Sequence, residues 1–177
     1  MHTEATAIAI AEKIRPAVPA GVAGPEFRQA LARCAAGVVV VTIPGPAGLT
    51  ASSFTSVSLS PPLVSFCVDQ DASCWPRLRA ATQFTVNVLT EAQSGVAARF
   101  AARGVDRFAP PIRWHAAPDG SPLLDAAAAY LCCQRYDVIP LGDHFLVVGL
   151  LTGVRHGAIG PPLLYHDGRY GQFRQVS

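Results

Sequence analysis

Thr50, Ser52, Ser56, Ser58 and Ser60 fall on one parity of the segment between Gly48 and Pro62, and Ala51, Val57 and Leu59 fall on the other. A period of two belongs to a strand with one polar and one apolar face. Short hydroxyls in a row can donate to and accept from a bound molecule without filling the space it needs. The chemistry this supports is binding. No Gly-x-Ser-x-Gly surrounds any of these serines, so they are poor candidates for hydrolytic nucleophiles. A second chemical feature is His144, in Gly142-Asp143-His144 at the start of a strand. Its imidazole can hydrogen-bond a polar ligand without carrying fixed charge near neutral pH; the competing reading is a hairpin histidine bonded to Asp143. A third is the run His166, Gly168, Arg169 and Tyr170. Tyr170 can stack on a flat ring and Arg169 can meet an anion, with a core aromatic and a surface cation as close competitors. His2, His115 and His156 are isolated, and no Cys/His pair has zinc spacing.

The elements that must position these residues are mostly strands. Val38 to Ile43 is a β-branched run and reads as a buried strand. Pro44-Gly45-Pro46 turns it into the hydroxyl strand, which Pro61-Pro62 ends. Leu63 to Asp69 alternates, with Val64, Phe66 and Val68 on one face and Ser65, Cys67 and Asp69 on the other. Ser73 reads as the cap of a short helix reaching about Ala81. Phe84 to Leu89 is a further strand, and Thr90 with Gln93 forms a capping box for a helix that buries Val96 and Phe100 and ends at Gly104. Residues 105–122 read as irregular. Tyr130 to Ile139 and His144 to Val154 read as paired long strands, and Leu163 to Tyr170 as the last strand. Upstream, Pro25 opens a helix that stops before Gly37, with Phe27, Ala30, Leu31 and Cys34 as its buried stripe. Residues 1–24 read as an extension expected to be mobile, with a short helix from Thr3 to Ile14, and 25–177 as the single folded domain. Six or seven strands turned back by Gly or Pro, with few helices, favour a mainly β fold closed as an antiparallel barrel. Repeated strand–helix crossovers and Gly-x-Gly-x-x-Gly are both absent, which disfavours a doubly wound nucleotide fold.

The chain resembles the short-chain flavin reductase family, the FMN-binding split-barrel proteins. The resemblance runs from about Phe27 to about Phe173 and rests on motifs in order. They are Phe27-Arg28-Gln29-Ala30-Leu31, Gly37 to Thr42, Leu49-Thr50-Ala51-Ser52-Ser53-Phe54, Ser56 to Leu59 and Pro61 to Val64. Further on come Phe84 to Leu89, Phe100-Ala101, Asp106-Arg107-Phe108, Gly142-Asp143-His144 and Pro162 to Tyr165. It implies a closed antiparallel Greek-key split β-barrel with a few flanking helices. It also implies an NAD(P)H:flavin oxidoreductase, NADH preferred, that reduces FAD or FMN and supplies reduced flavin to a separate monooxygenase. By the same resemblance Thr50, Ala51, Ser52, Ser53 and Phe54 wrap the flavin ring edge and ribityl chain, and Cys67, Val68 and Asp69 form a second flavin segment. Ser73 faces phosphate or is a plain helix cap. Phe100 and Phe108 pack beside the cofactor. Arg107, or Arg103, balances phosphate charge or is merely solvated. His144, with His166, Gly168, Arg169 and Tyr170, is assigned to the nicotinamide nucleotide. No catalytic acid or base and no metal is expected, because the flavin itself accepts the hydride.

Composition sets outer bounds. The chain has 177 residues, 50% of them hydrophobic and 15% charged, with a formal net charge of +2. It is long enough for a real core, and low charge with a large apolar fraction points to a partner subunit, here a homodimer. Lysine is nearly absent and no basic block recurs, so nucleic acid is not an expected partner. No membrane-length apolar run is present, and the N-terminus lacks the pattern of a secretion signal. Cys34, Cys67, Cys74, Cys132 and Cys133 are odd in number and read as free thiols in a reducing cytoplasm. Abundant Ala, Arg, Gly and Pro suggest a GC-rich bacterial source, which fits, by resemblance, reductases of aromatic hydroxylation or natural-product biosynthesis. Two other classes stay open. One is a split-barrel oxidase of the pyridoxamine-phosphate-oxidase type, which would want basic residues for a substrate phosphate; the other is a non-enzymatic flavin-binding protein.

Overall fold

The computed structural model describes residues 20–176; the expected Thr3–Ile14 helix lies outside them. The chain divides into two compact units between Arg33 and Cys34. The first contains helix α1, Gly24–Leu31, with proline in its first turn as expected. Its apolar stripe is not part of a core: Phe27 and Leu31 are each 53% exposed. Eight residues give too short an apolar face to build a core of its own.

The second unit is mainly β with few helices. Its strands are β1 (Ala36–Gly37), β2 (Val39–Ile43), β3 (Ala47–Ala51), β4 (Thr55–Leu59), β5 (Pro62–Asp69) and β6 (Gln83–Val88). They continue as β7 (Trp114–Ala116), β8 (Pro122–Leu124), β9 (Ala129–Leu141), β10 (His144–His156), β11 (Leu163–His166) and β12 (Arg169–Gln172). The helices are α2 (Trp75–Ala80) and α3 (Ser94–Ala101), the latter led in by a 3-10 turn, Glu91–Gln93. Seven strands form one antiparallel sheet in the order β3-β2-β6-β9-β10-β5-β4. The expected closure is not made by backbone pairing among the described residues: β3 and β4 are the two ends of the ladder.

β2 is buried at every position. Val39, Val41 and Ile43 join Phe66, Val68, Phe84 and Val147 in one core, while Val38 and Val40 join Leu89, Ala97, Phe100, Leu124 and Leu163 in another. A strand packed on both faces needs a continuous apolar run, which the Val38–Ile43 stretch supplies. Its one hydroxyl is satisfied: Thr42 Oγ1 donates to Pro122 O at 2.6 Å and accepts from Asn87 Nδ2 at 3.0 Å.

Several elements differ from their sequence reading. The hydroxyl strand is two strands, β3 and β4, broken at Ser52–Phe54, so the common parity of its serines does not define one face. The last strand is a hairpin, β11–β12, turned at Asp167 (φ 49°) and Gly168 (φ 74°). Residues 105–122 contain β7, which pairs with β8. The residue capping α2 is Cys74, not Ser73, and it makes no side-chain cap. The capping box of Thr90 and Gln93 is present, although it opens the 3-10 turn.

Candidate functional site

The break between β3 and β4 is where the site forms. Leaving β3, the chain passes through Ser52 and Ser53, and Ser53 Oγ accepts a hydrogen bond from the Cys67 N–H of β5 at 2.9 Å. A cleft of about 380 Å³ opens here. β3 and the break supply Leu49 to Ser53; β5 supplies Cys67 and Asp69; the β5–α2 connection supplies Ala72, Ser73 and Cys74. The end of α3 and the loop beyond it supply Phe100, Ala101, Arg103 and Arg107, and His144 at the start of β10 completes the lining.

Each wall has a local reason. Gly48 lets α3 lie on β3: a Cβ there would stand 2.5 Å from Val41 O and 3.3 Å from Phe100 Cε1. Thr50 Oγ1 donates to Ala97 O at 2.7 Å, so its proton fastens α3 to β3. Alternation on β5 turns Cys67 and Asp69 toward the cleft and Val68, 1% exposed, into the core. His144 stands opposite Asp69 in the β10–β5 register. Its Nδ1 lies 2.7 Å from Asp143 Oδ1, which leaves Nε2 for a ligand. That hydrogen bond holds the Asp143 carboxyl below the usual carboxylate range.

The electrostatics at the α3 end are cationic. Arg107 donates from Nη1 to Gly48 O at 2.8 Å and from Nη2 to Ala102 O at 2.9 Å. Its Nε is buried without a partner. Arg103 reaches Asp69 at 3.9 Å, an exposed pair of small energetic weight. Burial pushes the Cys74 thiol up despite the nearby Arg107 charge, so it stays a neutral thiol.

Of the residues assigned to flavin, Thr50, Ala51, Ser52, Ser53, Cys67, Asp69, Ser73, Phe100 and Arg107 line this one cleft. Three do not. Phe54 faces an apolar hollow with Val38, Val39, Val88 and Leu89. Val68 is in the core, because the strand alternates. Phe108 packs edge-on against Phe100 (5.0 Å) and Trp114 (5.6 Å) and lines an adjoining groove. His144, assigned to the nicotinamide nucleotide, lines the same cleft as Thr50 to Ser53. Tyr170 lines a second hollow of about 240 Å³, with Val38, Thr50, Ser52, Ala101 and Tyr165. His166, Gly168 and Arg169 are exposed on the β11–β12 hairpin and line neither space. Cys74 was missed; its position beside Ser73 at a helix start was the available signal.

The arrangement suits a ligand with a planar polar-edged ring and an anionic tail. Hydroxyls and strand backbone line one part of the cleft, and an arginine held by two carbonyls stands at the other. Residues 31–174 match the family model described as "Flavin reductase like domain", and the chain belongs to that family. It is 40% identical over 162 residues to the "NADH:FMN oxidoreductase" of Rhodococcus qingshengii, covering 88% of this chain and 84% of that one. It is 38% identical over 149 residues to the "Flavin-dependent monooxygenase, reductase subunit HsaB" of Mycobacterium tuberculosis (strain ATCC 25618 / H37Rv), covering 81% and 79%. The solved structure of Streptomyces globisporus C-1027 NADH:FAD oxidoreductase SgcE6, in complex with NAD and FAD fragments, superposes with a TM-score of 0.80 at 36% identity, covering 88% of this chain and 98% of that one.

Proposed function

We propose that this chain is an NADH-dependent flavin reductase that binds FAD or FMN in the Thr50–Ser53 cleft and releases the reduced flavin to a separate monooxygenase. The observation that carries the reading is the single cleft joining Thr50, Ala51, Ser52 and Ser53 to Cys67, Asp69, Ser73 and Arg107. Its size falls within the roughly 300–1,000 Å³ usual for small-molecule sites. The residues fit the cofactor. Ser52 has no protein partner among the described residues, Ser53 keeps its proton free to donate, and the Arg107 guanidinium forms no ion pair there.

When bound, the flavin supplies the hydride-accepting centre. The protein holds and orients. Ser52, Ser53 and the backbone of β3 address the ring edge, and Arg107 offsets the charge of the phosphate. His144 Nε2 is free for a polar contact with flavin or with the nicotinamide amide. The hollow beneath Tyr165 and Tyr170 shares Thr50, Ser52 and Ala101 with the cleft, which gives NADH an approach to the flavin. Rate then comes from proximity and orientation, with no side chain required to move a proton.

The open sheet is read as a split barrel, in which the Ser53 hydroxyl accepting the Cys67 N–H ties the segment leaving β3 to β5 without a ladder. Residues 1–24 are read as an extension to the domain. A homodimer is part of the proposal, supported by exposed Phe27, Leu31, Val57 and Leu59. No helix among the described residues is long and apolar enough to cross a membrane, and a cytoplasmic location is proposed.

Anaerobic stopped-flow mixing of the flavin-loaded protein with NADH tests the reading. Bleaching of oxidised flavin at a saturating rate, followed by flavin transfer to an acceptor, is the expected result. Flavin binding without bleaching would instead make the chain a flavin carrier. Light scattering that finds an active monomer would remove the dimer.

A further inference from the structure

Beside the cleft lies a second groove, of about 210 Å³. The β2–β3 turn forms one side, the first turn of α2 another, and Val105 to Phe108 the third. The two spaces adjoin, sharing Ser73, Cys74 and Arg107 in their walls. The groove therefore begins where the anionic tail of a flavin held in the cleft would end.

Its chemistry is that of a second phosphate and a nucleoside. Arg77 and Arg107 both line it, and among the described residues neither is paired with a carboxylate. Arg77 Nη1 donates to Pro46 O at 3.3 Å, which steadies the guanidinium and leaves its other N–H groups available. A guanidinium with free parallel donors is suited to phosphate oxygens. The one carboxylate in the groove is Asp106, whose Oδ1 accepts the Phe108 N–H at 3.0 Å. Its other oxygen is open to a ribose hydroxyl or an exocyclic amine. Val105, 46% exposed, and Phe108 give an apolar flank for a purine face.

We infer that this groove takes the adenylate half of FAD, so that the chain binds FAD in preference to FMN, with Arg77 as the residue that separates the two. FMN ends at its single phosphate beside Arg107 and leaves the groove empty. The inference rests on the proposed seating of flavin in the cleft.

The test is equilibrium binding of FAD, FMN and riboflavin, read by quenching of flavin fluorescence, without turnover. The wild-type protein should bind FAD about tenfold more tightly than FMN, the size of one good charge-assisted contact set. Arg77→Ala should remove that difference and leave FMN and riboflavin affinities as they were. Val105→Glu, an exposed substitution that sets a negative charge in the groove, should also weaken FAD alone. AMP should compete with FAD in the wild-type protein and not in Arg77→Ala. Equal wild-type affinity for FAD and FMN, or parallel loss of both in Arg77→Ala, would overturn the inference while leaving the flavin cleft in place. Failure of all three flavins to bind would overturn the seating itself.

Discussion

Ser53 Oγ receives the Cys67 backbone N–H at 2.9 Å, which joins the segment leaving β3 to β5 where no strand ladder connects them. Ser52, its neighbour, has no such duty. On the proposed seating of flavin, the pair therefore separates a hydroxyl that only binds from one that also holds the fold.

Ser53→Ala should lower unfolding free energy by roughly 0.5–1.5 kcal/mol, the usual net worth of one hydrogen bond, and weaken flavin binding too. Ser52→Ala should weaken flavin binding with no change in the denaturation midpoint. Denaturant melts and flavin titrations on both variants check this; equal stability loss in the two would remove the distinction.

Gly48→Ala should destabilise by about 1–3 kcal/mol, the range for forcing atoms into a packed site. The new Cβ would meet Val41 O at 2.5 Å, a backbone atom that has no rotamer to change. A thermal melt reports the loss. Because Gly48 O also receives Arg107, flavin affinity should fall with it.

The Asp143 carboxyl should titrate below the usual carboxylate range, and His144→Ala should bring its midpoint back up, since the His144 hydrogen bond is the largest cause of the shift. The sign follows from linkage. A folded-state pKa below the unfolded one adds stability above the unfolded value, and that stability is lost as pH falls through the folded value. Carboxyl carbon NMR titration measures it. The same variant should raise the NADH concentration needed for half-maximal rate and weaken oxidised flavin, because His144 lines the cleft proposed to hold flavin. Unchanged flavin affinity would return His144 to the nicotinamide alone.

Native alkylation should label Cys34, which is exposed, well before Cys133. Burial pushes the Cys133 thiol up to about 12, so almost no thiolate is present at neutral pH. Peptide mass spectrometry after timed iodoacetamide exposure gives the order.

Much of the scaffold was legible because its signals were local. Val38 to Ile43 announced a strand buried on both sides, and Thr90 with Gln93 announced a helical start. The hydroxyl segment misled because parity is meaningful only within one strand. Nothing between Ser52 and Phe54 is a Gly or Pro, and a Ser/Thr face has no core contact to betray a break. The β11–β12 turn was legible in principle, since Asp167-Gly168 is a favoured hairpin pair. The cleft itself could not be read from periodicity. Its walls come from β3, β5, the α2 approach, α3 and β10, and only the family resemblance brought those remote residues together. Val68 shows the limit of that transfer: a segment can match while every second side chain faces away.

The site opens beside β3, one unpaired margin of the sheet, and faces β5, a strand that does not pair with β3. Widening the gap between β3 and β5 breaks the Ser53–Cys67 contact and the distant Arg103–Asp69 pair, but no rung of a strand ladder. On the proposed seating of flavin, exit through this gap requires only local opening, which costs less than the cooperative opening of paired strands. A protein whose reduced cofactor is itself the delivered product needs a short residence time, and a cleft wall tied by one hydrogen bond and one exposed ion pair suits that need.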